Sequence, residues 1–142
     1  MFRTTALSLF LASATPSPAP AIASDPVAQD GPVHQLRIYR IYDQTRIAFH
    51  ERFRDHAARL MARHGFDIVA MWEARTEEGP EFVYLLRWPD EATMVAAWER
   101  FMADPEWAAI KRDTAARHGR FVGDIEDRTL RLVDYSPRGR VR

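Results

Sequence analysis

Arg37 and Tyr39 stand two residues apart in VHQLRIYRIY, Val33 to Tyr42, a run whose alternation predicts a β-strand. Side chains two apart on a strand share a face, so a guanidinium and a phenol project to the same side. In a dry cavity such a pair can orient a carboxylate or phenolate. It suits equally well an ion pair or hydrogen bond lining a dimer interior. With Leu36 and Ile38 taken as the helix-facing set, Arg37 and Tyr39 are expected to look out from the other face of the sheet. Trp72 and Tyr84, on the next two predicted strands, are expected to join them. The candidate substrate-binding residues are therefore Arg37, Tyr39, Trp72 and Tyr84, with Trp88 near the rim, and no residue is singled out as catalytic.

The five histidines, His34, His50, His56, His64 and His118, do not form a metal set. A helical zinc pair needs i, i+4 spacing so that both rings share a face, and His50, His56 and His64 lack it. No metal or cofactor is expected. His64 falls in the last turn of a predicted helix, where its cationic form suits the dipole; a pocket base or haem ligand is its functional alternative, and His118 is a second candidate for haem. The absence of cysteine excludes disulfides, thiolate nucleophiles and thiolate metal sites. The phosphate-loop, dinucleotide and nucleophile-elbow glycine patterns are missing, so nucleotide hydrolysis, dinucleotide redox and serine hydrolysis have no support. Asp67 and Glu73 flank one strand, with nothing to pair them as acid and base.

These side chains need a scaffold, and the chain provides for one domain: 142 residues, 46% hydrophobic, formal net charge zero. No global field points to nucleic acid or a membrane surface. After the first strand a long helix is expected to about His64, with Phe49, Phe53, Ala57, Leu60 and Met61 as its buried stripe and Glu51, Arg52, Arg54, Asp55, Arg59 and Arg63 on the wet side. Asp43 to Thr45 offer caps at its start, and Gly65 is the expected left-handed residue at its end. Phe66 to Arg75 and Phe82 to Trp88 read as strands, each apolar on both faces, joined by the turn at Thr76 to Pro80. Asp90 then caps a helix with the stripe Met94, Trp98, Phe101 and Met102. Asp104-Pro105 starts another, with Trp107 and Ile110 inward. Ile125 to Val133 is the last strand.

The order β-α-β-β-α-β predicts an α+β, ferredoxin-like domain over residues 33–135 with an antiparallel sheet. Right-handed crossovers put both helices on one face. Strands two and three are nevertheless apolar on both sides, and uncovered aromatics there exceed what a monomer ordinarily exposes. A second copy packed sheet against sheet is the expected cover, a two-fold homodimer. The alternative is that the second helical piece and the N-terminal linker fold over that face.

Residues 1–23 read as a cleavable secretory signal peptide: Met1-Phe2-Arg3, an apolar run from Ala6 to Ala14, and Ala21-Ile22-Ala23 before the cut. That run is too short to span a bilayer. A periplasmic or secreted protein without stable membrane insertion is expected. Residues 24–32 read as a flexible linker and 136–142 as a basic tail.

With this order in place, QLRIYRI, HGFDIVAMWE, FVYLLRWPDEATMVAAWERFMADPEW and the closing DYSP resemble the NIPSNAP family, a branch of the dimeric α/β-barrel proteins, from about Gln35 to Pro137. The resemblance implies ferredoxin-like protomers whose sheets pair into a barrel, often around a cavity. Relatives on this fold include cofactor-independent monooxygenases, haem-handling enzymes and stress-response proteins. The expectation is a homodimer binding a small apolar or aromatic molecule in the barrel cavity, as a cofactor-independent monooxygenase or isomerase. The alternative is a non-catalytic interaction or scavenging protein with a filled barrel core.

Overall fold

The computed structural model describes residues 31–137. The leader expected over 1–23, nearly all of the linker expected over 24–32 and the expected tail from residue 138 lie outside the described residues.

Four strands form one antiparallel sheet in the order β2-β3-β1-β4: β1 (Val33–Ile41), β2 (Asp67–Thr76), β3 (Gly79–Trp88) and β4 (Val122–Leu130). The ferredoxin-like arrangement is thereby present. Between β1 and β2 a helical rod runs through α1 (Arg46–Arg52), a turn of π-helix (Phe53–Ala57) and α2 (Ala58–Arg63). Between β3 and β4 lie α3 (Glu91–Met102) and α4 (Pro105–His118). Phe49, Phe53, Ala57, Leu60 and Met61 are all buried, as the rod's periodicity requires.

The helix boundaries have local chemical causes. The Asp90 carboxylate accepts from the Thr93 amide at 2.6 Å, and Asp104 accepts from the Glu106 and Trp107 amides at 2.9 and 3.4 Å. Gly65, at φ 87°, supplies the left-handed turn that lets the chain leave α2 and start β2. The caps expected at Asp43 to Thr45 are not made. That segment is a 3₁₀ turn; Asp43 pairs with Arg75 at 2.7 Å, and the Thr45 hydroxyl donates to the Arg120 carbonyl. Met102, expected in the α3 stripe, is 54% exposed, and Ala97 is buried instead. The last strand starts at Val122 and stops at Leu130, short of Val133, because it pairs with β1, which runs out of partners at His34.

Aromatic side chains fill the space between sheet and helices. Phe82, Tyr84, Leu86 and Trp88 of β3 all point there, meeting Phe49 and Phe53 on one side and Phe66, Trp98 and Phe101 on the other. The edge-to-face geometry of most of these pairs is favourable beyond the area they bury. On the opposite face, Leu36 and Ile38 face Leu85 and Val83, which in turn face Ala70 and Trp72. Trp72 is 51% exposed there, and α3 and α4 both pack on the other side.

Candidate functional site

Register places the sequence-derived candidates on two different faces. Arg37 pairs with Tyr84 and Tyr39 with Phe82, and directly opposed residues of an antiparallel pair share a face. Arg37, Tyr39 and Tyr84 therefore point toward the helices, and the expectation that they look into a sheet-to-sheet space is corrected. Trp72 lies opposite Val83 on the far face and does not join them. In β2 a bulge between Ile68 and Ala70 breaks the alternation, so Ile68 and Met71 share the helix side while Ala70 and Trp72 share the other.

A polar network runs through the aromatic core. The Tyr39 and Tyr84 hydroxyls are 2.8 Å apart, and Arg37 donates to the Tyr39 hydroxyl at 3.3 Å. The Arg37 guanidinium also pairs with Asp127 of β4 and lies 4.6 Å from the centre of the Trp98 ring. Gln35, fully enclosed, donates to both Asp127 oxygens at 2.9 and 3.0 Å, and its carbonyl accepts from the indole N–H of Trp88 at 3.2 Å and of Trp98 at 2.8 Å. Burial, and then the neighbouring Tyr39, push the Tyr84 phenol above its ordinary range, so it remains a neutral donor at physiological pH. Either phenol can be the donor of the bond between them; when the hydrogen bonds run outward from the cation, Arg37 to Tyr39 to Tyr84, the Tyr84 proton is free for a guest.

These two phenols border a cavity of about 40 Å³ whose walls are Phe49, Phe53, Ala57, Met61, Phe101 and Trp107. The π-helical turn supplies Phe53 and Ala57; such turns often accompany functional sites. Arg52, immediately before it, closes the lining. It donates to the Thr114 hydroxyl at 3.1 Å and stands 4.3 Å from the centre of the Phe121 ring and 5.5 Å from that of Trp107. Burial lowers its pKa to about 10. The periodicity of a single helix puts Arg52 on the wet side; α4 and Phe121, distant in sequence, roof it over.

The NIPSNAP family model matches residues 34–137. The chain belongs to the NIPSNAP family. An uncharacterised NIPSNAP-like domain protein from Burkholderia xenovorans superposes with TM-score 0.64 at 15% identity, covering 77% of this chain and 91% of that one. A NIPSNAP family protein of unknown function from Agrobacterium tumefaciens gives 0.63 at 16%, covering 77% and 95%. At these identities the likeness shows the fold alone. No curated protein matches the chain significantly.

Within this NIPSNAP domain none of the five histidines lines the cavity. His64 Nε2 is 2.6 Å from Asp104 Oδ2, a carboxylate that also meets Arg63 at 2.5 Å while capping α4. The imidazole thus joins the end of the first rod to the start of α4. His50 Nε2 is 2.7 Å from Glu73, which Arg46 also holds at 2.8 Å. His56 and His118 border an outer groove between α1 and α4, and His34 lies on the far face beside Leu85 and Leu130.

Proposed function

We propose that the protein is a homodimer, exported to the periplasm or beyond, that binds a small apolar or aromatic molecule between the sheet and helices of each protomer. The observation that carries this reading is the pair of phenol hydroxyls set into walls that, Arg52 apart, are apolar. Walls of that kind bind by burial, and the few polar groups fix orientation. Tyr84, a neutral donor, suits a carbonyl, enolate or phenolate oxygen. Donation to a developing oxyanion is the contribution such a site can make to a cofactor-independent oxygenation or an isomerisation.

Dimerisation is supported by the far face, where Trp72 is 51% exposed and Leu36, Ile38, Val83 and Leu85 are only part-buried among the described residues. There, an apolar groove of about 380 Å³ lies between His34, Leu85, Leu130, Leu132 and Val133. In this arrangement the space between the sheets is lined by Leu36, Ile38, Trp72, Val83 and Leu85, with Arg40, Glu81, Glu126 and Arg128 on the same face, and not by Arg37, Tyr39 or Tyr84.

A second reading is a scavenging or interaction protein without turnover. It is favoured by the cavity lining, which holds no carboxylate and no imidazole to act as a base. Thermal-shift titration with neutral aromatics, in wild type and in Tyr39→Phe and Tyr84→Phe, tests the binding reading. Ligand-induced stabilisation that the Phe variants diminish supports it. No shift with any aromatic in the wild type refutes it.

A further inference from the structure

The inner cavity, at about 40 Å³, is far smaller than the ~150 Å³ that admits benzene in an engineered protein core. An aromatic guest therefore needs a wall to move, and one wall differs from the rest. Arg52 lines both this cavity and the outer groove of about 170 Å³ between α1 and α4. Among the described residues its one side-chain hydrogen bond goes to a neutral hydroxyl, that of Thr114, and it also lies over the ring faces of Phe121 and Trp107. Among the described residues Arg52 makes no ion pair, while Arg37, Arg46, Arg59 and Arg63 each do. A half-buried cation without a carboxylate has given up water for weaker partners, and an arriving anion restores what it lost. Moving it breaks no ion pair. The groove's acids, Glu51 and Asp55, do not meet that need: Asp55 is already paired with Arg54, and Glu51 is exposed.

We propose that Arg52 is the anion receptor at the mouth of this cavity, and that the ligand is a small aromatic monocarboxylate entering through the α1–α4 groove. Its carboxylate pairs with the guanidinium in the bidentate fork geometry. Its ring takes the space that Arg52 vacates against Phe53 and Trp107, pointing toward the phenols of Tyr39 and Tyr84. The depressed pKa of Arg52 agrees with a charge that lacks a counter-ion. This rests on the reading that the cavity takes a ligand.

The test is calorimetric and thermal-shift titration of the whole protein with benzoate and with benzamide, its neutral isostere. Wild type, Arg52→Met and Arg52→Lys are compared. Benzoate is expected to bind wild type at least tenfold more tightly than benzamide, and added chloride should weaken benzoate alone. Arg52→Met should bind both probes alike while melting, unliganded, no lower than wild type, because it removes a desolvated charge. Arg52→Lys should keep part of the benzoate preference. Equal binding of the two probes to wild type overturns the anion receptor and leaves the ligand cavity standing. Binding of neither overturns both. An Arg52→Met protein that unfolds or melts far lower shows Arg52 to be a strut, and overturns the proposal as well.

Discussion

Replacing Gln35 by Leu tests whether the polar network inside the aromatic core holds the site together. The side chain is 2% exposed, and its amide makes four hydrogen bonds: two received from indole N–H groups and two donated to Asp127. Leu has a similar volume, so the cavity term is small and the effect isolates the hydrogen bonds. The Trp88 indole is buried and loses its partner outright, costing about 1–3 kcal/mol. Trp98 is only part-buried and falls at the low end of the same range. The Asp127 side chain, 42% exposed, recovers water and keeps Arg37, so its loss is slight. Replacing a buried amide by apolar surface returns a fraction of this, for a net cost of about 2–4 kcal/mol. For a folded unit of this size that corresponds to a Tm lower by roughly 10–25 °C. Urea denaturation at one fixed protein concentration is the assay, since an oligomer's stability depends on concentration. A loss below about 1 kcal/mol with unchanged m refutes the reasoning. Gln35→Glu sharpens the test. Its carboxylate still accepts from both indoles but is buried and faces Asp127, so its folded pKa lies above the unfolded value near 4.3. Stability from such a group is present at low pH and lost as pH rises through the folded pKa, so the variant's deficit should narrow from pH 7 to pH 4.

Trp72→Arg and Leu85→Arg, on the far face, should halve the mass seen by native mass spectrometry while leaving aromatic binding intact; a wild type that already sediments as one subunit refutes the dimer. Tyr84→Phe removes the 2.8 Å bond to Tyr39 and should cost about 1 kcal/mol in chemical denaturation, because Tyr39 is only part-buried and Arg37 still donates to its oxygen. Hydrogen bonds from His64, then Arg63, hold the Asp104 carboxyl well below the usual carboxylate range. A depressed folded pKa contributes stability above the unfolded value near 3.9 that disappears as pH falls below it toward the folded one. Asp104→Asn keeps an oxygen to cap α4, so its stability should change less between pH 5 and pH 2 than the wild type's; parallel curves would refute the assignment.

Much of the fold is legible in the chain because local rules and burial agree there. The stripe Phe49, Phe53, Ala57, Leu60 and Met61 has helical spacing and lies inside, and Asp90 and Asp104 both cap as their positions suggest. The site is less legible. Arg37, Tyr39 and Tyr84 were identifiable as a group, but the face they occupy was not. Strand periodicity states which residues share a side and not which side meets the helices, and β1 breaks the simple rule by sending Gln35 and Arg37 inward. The usable signal was in β3, where the bulkier set Phe82, Tyr84, Leu86 and Trp88 marks the helix face and carries Arg37 with it through the register. Arg52 had no such signal, since its neighbours Trp107, Thr114 and Phe121 lie far along the chain.

By itself the sequence determined the order of elements, the caps at Asp90 and Asp104 and the NIPSNAP membership, because these rest on contacts among near neighbours and on a pattern spread along the whole chain. Only the tertiary structure decided where charge is buried. A guanidinium can sit among rings when partners from β4, α3 and α4 converge on it, as they do on Arg37 and Arg52. That convergence depends on long-range packing, which no spacing within a single strand or helix encodes.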